Sequence, residues 1–251
     1  MRFIDPRLSK EKWKIYLKTF DIQKHKYIMV QILKDIFTHK EVGPIMGFKG
    51  GTACYLFFNL PRFSVDLDFN LLDINKKDIV FNNFKNTLQE YGNLKQARDK
   101  KKTIFFLLSY KKNTKNIKIE ISKRQFPDKY QIRNYLGISM NVMVKEDIFA
   151  HKLVALLDRK SIANRDLFDI WYFFKNNWDI NEKIIEVRTE NKFTEYMKRC
   201  IKRVEKINET YILQGLGEVL DEQRKDWVKN NLKSNLIFLM KNYLVNIGDS
   251  A

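Results

Sequence analysis

Cysteine, histidine, proline and glycine are all scarce in this 251-residue chain, at two, three, four and nine residues. Cys54 and Cys200 lie far apart in apolar or amphipathic surroundings, which excludes a disulfide framework and suits reduced thiols in a cytoplasmic protein. His25, His39 and His151 are too scattered for the paired spacing of a zinc site. No window approaches the roughly 18 uninterrupted apolar residues of a membrane span. The opening MRFIDPRLSKEKWKIYLKTF lacks the apolar core of a secretory signal. A soluble, unexported protein without a membrane partner is expected.

What is abundant is apolar and basic. A hydrophobic content of 44%, with 14% aromatic residues, is ample for one large domain or two small ones. Lys and Arg total 47 against 30 Asp and Glu, a net charge of +17. Such a field attracts polyanions and makes nucleic acid the leading partner. An AT-rich genome, which inflates lysine and asparagine, is the competing explanation.

The pattern is helical from Ser9 to about Thr38, with Trp13, Tyr16, Leu17 and Phe20 and then Ile28, Ile32, Leu33 and Ile36 at helical spacing. GPIMGFKGG reads as a short buried strand ending in a glycine turn, and TACYLFF as a short apolar helix. Residues 65–72 alternate as a strand. A helix is predicted over 76–90. TIFFLLSY (103–110) and IKIEIS (117–122) form an expected antiparallel pair, and a further strand covers 138–143. From Lys145 the helical period takes over: EDIFAHKLVALLDR, NRDLFDIWYFFKN, an amphipathic stretch near 182–209 and a last helix from Asp221 to about Val245. The expected class is α+β, with a mixed-sheet domain over 1–144 followed by an all-helical domain over 145–251.

The chemistry concentrates in MGFKGGTACYLFFNLPRFSVDLDF (46–69). Asp66 and Asp68 lie two apart on a strand, so both carboxylates leave one face within a few ångströms. Like charges that close call for a cation, and oxygen ligands beside a phosphate-bearing substrate favour Mg²⁺ or Mn²⁺. A bare D-x-D is also what a solvated strand face looks like. Gly50, Gly51 and Thr52 open a helix whose N–H groups can take a phosphate, although a ligand-free tight turn has the same composition. The spacing matches neither a P-loop nor a dinucleotide fingerprint. Glu120 stands on the polar face of IKIEIS, placed as a third metal ligand, as a base for an attacking hydroxyl, or as an ordinary surface partner of Lys118.

These residues resemble the AbiEii/AbiGii toxin family of the DNA polymerase β-like nucleotidyltransferase superfamily, which joins a G-[GS]-[ST] turn to a D-x-D strand. A second stretch, DIFAHKLVALLDRKSIANRDLFDIWYFF (147–174), resembles the family's later lysine and R-D-x-x-D motifs. The resemblance covers roughly residues 40–175. It implies Gly50, Gly51 and Thr52 at the triphosphate, Asp66 and Asp68 on Mg²⁺ with Glu120 as third carboxylate, and Lys152 neutralising phosphate charge. It also implies Arg165, Asp166 and Asp169 near the nucleotide or supporting the site. Arg62 is expected to touch phosphate or to brace Asp66. The segment departs from the family at Asn59–Leu60–Pro61, where a glycine-containing turn is expected.

The implied function is NMP transfer from an NTP to a hydroxyl, with RNA, and tRNA at its acceptor end, as acceptor. The setting would be a toxin–antitoxin or phage-defence system with an antitoxin encoded nearby. Two alternatives stand beside it: the same fold acting on a protein or small-molecule hydroxyl, and a non-catalytic basic nucleic-acid-binding module.

Overall fold

A computed structural model describes residues 10–112 and 114–248, with side chains described from residue 22 onward. The apolar stripe read over Trp13, Tyr16, Leu17 and Phe20, and the helix start at Ser9, lie outside that range. The class is α+β, as expected: seven strands and eight α-helices among the described residues. They gather into two compact units that interleave along the sequence. The first takes the chain up to Met46 with Val65–Lys123 and Leu136–Ser139; the second takes Gly47–Ser64, Arg124–Tyr135 and the chain from Met140 onward.

In the first unit four strands follow the order β3-β4-β5-β2, namely β3 (Asn93–Asp99), β4 (Thr103–Ser109), β5 (Ile117–Ser122) and β2 (Asp66–Leu71). β4 pairs antiparallel with both β3 and β5, while β2 runs parallel to β5. The period-two pattern decides which face is dry: Leu67, Phe69, Ile104, Phe106, Ile117, Ile119 and Ile121 are fully buried. Helix α3 (Lys77–Tyr91) covers that face with Val80, Phe84 and Leu88, spaced four apart. The Phe84 ring stacks on Phe106 at 5.9 Å and meets Phe69 edge-on at 5.6 Å. Truncating Phe84 to alanine would cost about 3–5 kcal/mol in lost burial and cavity. Helix α1 (Lys10–Thr38) adds Ile32, Leu33 and Ile36 to this core.

The second unit holds β6 (Tyr130–Tyr135) and most of β1 (Met46–Lys49) and β7 (Ile138–Met143), in the order β1-β7-β6 with β1 parallel to β7. It also holds α2 (Gly50–Phe57), α4 (Lys145–Asp158), α5 (Asn164–Lys175), α6 (Glu182–Thr189), α7 (Phe193–Glu205) and α8 (Glu222–Gly248). The helices from Lys145 onward therefore share their unit with α2 and with strands. Their packing is aromatic: Phe149 of α4 meets Phe174 at 4.7 Å, and Phe173 stacks on Trp178 at 4.1 Å. Helix α7 buries Phe193, Tyr196, Met197, Cys200, Ile201 and Val204, a regular amphipathic stripe.

Three details correct the sequence reading. Strands β3 and β6 were not anticipated. The stretch near 182–209 is two helices, broken where Glu190 takes a left-handed φ of 56°. The missing glycine after α2 is supplied by Asn59, which adopts φ 55° as only glycine and asparagine do readily, so the helix ends there and Leu60 N bonds back to the Cys54 carbonyl at 3.2 Å.

Candidate active site

The carboxylate face belongs to the first unit. Parallel pairing sets Asp66 opposite Lys118, Asp68 opposite Glu120 and Asn70 opposite Ser122. Cα partners share a face, so Asp66, Asp68 and Glu120 emerge on the side away from Leu67, Ile119 and the Phe84 core. The start of β2 is pinned by His25 of α1. Its buried ring bonds the Val65 carbonyl through Nε2 at 3.0 Å and the Tyr110 hydroxyl through Nδ1 at 2.9 Å. The carbonyl can only accept, so Nε2 carries the proton and Nδ1 accepts from Tyr110. Burial lowers the His25 pKa below its ordinary value, which favours this neutral form.

A cation already lies among the carboxylates. Lys118 Nζ is 3.8 Å from Asp66 Oδ2 and 3.5 Å from Glu120 Oε2. Burial alone would lower its pKa, but the charges of Asp66, Asp68 and Glu120 outweigh that and raise it. Carboxylate oxygens are the ligand type that a hard divalent cation takes. Among the described residues no three His, Cys, Asp or Glu groups form a metal cage. The face is open rather than closed, and the Glu120 side chain is 43% exposed.

The glycine turn and the distal motif belong to the second unit. Gly50 begins α2 with φ 79°, a left-handed backbone that favours glycine. Gly51 is needed for a different reason: a Cβ there would stand 2.8 Å from Arg62 Nη2 and 3.0 Å from Ser64 Oγ. Thr52 is 1% exposed. Arg62 Nε and Nη2 each donate to Asp169 at 2.6 Å, and Nη1 donates to the Phe63 carbonyl at 3.1 Å. Arg62 thus braces Asp169.

Lys152 Nζ lies 2.6 Å from Asp166 Oδ1 and 2.8 Å from Asp169 Oδ2, and Arg159 Nη1 lies 3.0 Å from Asp166 Oδ2. Burial would lower the Lys152 pKa, yet Asp166 and Asp169 overcome it and hold the ammonium charged. The converse applies to Asp169: burial pushes up, the cations of Arg62 and Lys152 pull down, and the pull wins. Asp166 does not cap α5; that position falls to Ala163, and the carboxylate serves the cations instead. Three cations against two carboxylates leave a net +1 (3 − 2), carried outward by Arg159, whose side chain is 53% exposed. Arg165 is half-buried in the first turn of α5. Lys118 shares the Glu120 face, as the alternation of IKIEIS implied; what sequence reading did not give is its reach to Asp66, which follows from the β2–β5 pairing.

The remaining histidines are structural. His151 Nε2 lies 2.7 Å from Asp128 Oδ1, and its Nδ1 lies 2.5 Å from Arg188 Nη1. His39 Nδ1 accepts from the backbone N–H groups of Glu41 and Val42. Among the described residues no helix is long and apolar enough to cross a membrane.

The solved structures agree on the mixed α+β fold. One H. pylori protein, described as a candidate nucleotidyltransferase, is 22% identical, covers 97% of this chain and 99% of its own, and gives a TM-score of 0.62. JHP933 from Helicobacter pylori is 21% identical, covers 91% and 97%, and gives 0.55. Residues 31–234 match the family described as "Nucleotidyl transferase AbiEii toxin, Type IV TA system". The chain belongs to this AbiEii family of nucleotidyltransferase toxins, and the match extends well past the 40–175 span that carries the motifs. A comparison with curated proteins finds no match.

Proposed function

We propose that the chain is a Mg²⁺-dependent nucleotidyltransferase that moves a nucleoside monophosphate from an NTP to an RNA hydroxyl, with the tRNA acceptor end as target. We assign it to the toxin half of a type IV toxin–antitoxin or phage-defence pair whose antitoxin is encoded nearby. The observation that carries the reading is the β2–β5 register, which aligns Asp68 with Glu120 and leaves Asp66 on the same face.

In the proposed reaction the acceptor oxygen forms a bond to the α-phosphorus while the bond to the bridging oxygen breaks and pyrophosphate leaves. The hydroxyl proton passes to a carboxylate, for which Glu120 is the candidate. Asp66, Asp68 and Glu120 would hold Mg²⁺ or Mn²⁺, which when bound neutralises triphosphate charge. The N–H groups at Gly50, Gly51 and Thr52 suit phosphate, and Lys152 and Arg165 bring positive charge. Asp166 and Asp169 act on the phosphate groups through Lys152, and Arg62 fixes Asp169 in that role. The net charge of +17 favours RNA over a small neutral acceptor.

The test is incubation with total bacterial RNA, Mg²⁺ and each α-³²P-labelled NTP in turn. Label in a tRNA-sized band with wild type, absent with Asp66→Ala/Asp68→Ala, supports the assignment and names the nucleotide. No label from any NTP, or equal label from the variant, overturns it.

A further inference from the structure

Within the second unit, α5 and α8 line a half-open pocket of about 430 Å³ that combines aromatic with polar and basic side chains. Trp171, Tyr172 and Trp227 form its aromatic wall, and Lys175, Gln223 and Arg224 its polar and basic lining. The volume falls in the range of sites that hold one small ligand.

The wall is fixed in advance. Trp171 Nε1 donates to Asn235 Oδ1 at 2.8 Å, and the Trp171 and Trp227 rings lie 4.3 Å apart at 39°. The Tyr172 hydroxyl donates to the Phe58 carbonyl at 3.2 Å. Trp171 is buried, but Trp227 is only half-buried and keeps surface open to the cavity. Lys175 Nζ lies over the Trp171 ring, 4.9 Å from its centroid, so the ammonium is held against that aromatic face. Arg224 is ion-paired with Asp221, an exposed pair that a phosphate can replace.

Held aromatic faces, two cations and a side-chain amide at one mouth match a nucleobase carrying phosphate. The base has a π-face to stack, its edge can pair with Gln223, and the phosphate needs cations. An aliphatic ligand would leave the cations unused, and a neutral sugar would leave one face of the chemistry unmatched.

We propose that this cavity is a nucleotide-binding site, stacking a base on Trp227 and holding its phosphate at Lys175 and Arg224, and that an unpaired nucleotide of the RNA acceptor fills it. Its lining includes none of the residues assigned above to metal, triphosphate or proton transfer. Only the source of the nucleotide rests on the RNA-acceptor reading.

Binding is measured in the Asp66→Ala/Asp68→Ala background, where turnover cannot intrude. A fluorescent single-stranded RNA octamer is followed by anisotropy, and nucleoside 5′-monophosphates by tryptophan quenching. Trp227→Ala is expected to weaken RNA binding about tenfold, as loss of one stacking platform does, while Trp227→Phe retains most of it. Lys175→Gln/Arg224→Gln changes two exposed side chains without disturbing the core; it is expected to weaken binding and flatten its salt dependence. Melting temperatures identify any variant that is merely unfolded.

Binding of the free monophosphate alone, lost in Trp227→Ala, keeps the nucleotide site and overturns RNA as its source. Unchanged RNA and monophosphate binding in both Trp227→Ala and Lys175→Gln/Arg224→Gln overturns the site. Label transfer to RNA together with that unchanged binding would sink this inference and leave the proposed reaction standing. Lost binding in these variants without any transfer would do the reverse.

Discussion

The Arg62 guanidinium grips the Asp169 carboxylate through two 2.6 Å hydrogen bonds, with both side chains sealed from solvent and 107 positions apart in the chain. Removing one partner strands a buried charge. Asp169→Asn or Arg62→Met is therefore expected to cost about 3–5 kcal/mol, read from the urea midpoint. Gly51→Ala should be destabilising as well, because its methyl would meet Arg62 Nη2. A stability within experimental error of wild type in all three would contradict the buried-lock assignment.

Lys118 marks where a divalent cation would compete. Its ammonium sits 3.5–3.8 Å from Glu120 and Asp66. Lys118→Met removes that rival charge, so Mn²⁺ binding followed by electron paramagnetic resonance should tighten by roughly three- to tenfold at low salt, and by less at high salt. Weaker or unchanged Mn²⁺ affinity would argue against the carboxylates as the cation site.

The pH dependence of stability follows from two histidines. Burial holds His25 and His151 below their ordinary value of 6.5. Above 6.5 both folded and unfolded rings are neutral and the full stability is present. As pH falls from 6.5 through the lowered folded values, the unfolded chain takes up protons first and stability is lost. Urea midpoints compared between roughly pH 8 and pH 5 should fall, and His25→Gln should shrink the slope. A midpoint that rises on acidification would contradict this.

Much of the fold was readable because its core strands alternate cleanly. DLDFNL and IKIEIS carry their apolar residues at period two, TIFFLLS is a short apolar run whose burial alternates, and the three are observed as β2, β5 and β4. NLKQARD and YQIRNY are strands of another kind, each at an end of its own unit's strand order, with every position exposed or half-exposed and little apolar pattern to see. The break between α6 and α7 carries no glycine or proline, only Glu190 in a left-handed turn, so periodicity ran through it. At the site, the D-x-D strand and the glycine turn announce themselves in sequence. Partners such as Arg62 and Asp169 do not, because a bidentate ion pair across 107 residues is a product of tertiary packing.

The thiols provide a check on burial. Cys54 and Cys200 are both enclosed, and burial pushes each pKa up to about 12. Native protein should react negligibly with a disulfide reagent at neutral pH, and both thiols should titrate in denaturant. Rapid native labelling of Cys54 would mean that the packing around α2 opens readily.

The central claim is that the carboxylate face of β2 and β5 directs attack on the α-phosphorus of an NTP. The most direct measurement pairs α-³²P- and γ-³²P-labelled NTP with purified chain, Mg²⁺ and RNA, for wild type and for Asp68→Asn. The account predicts α-label in RNA, γ-label only in released pyrophosphate, and neither product from Asp68→Asn. Transfer of γ-label to the acceptor, or undiminished α-transfer by Asp68→Asn, would contradict it.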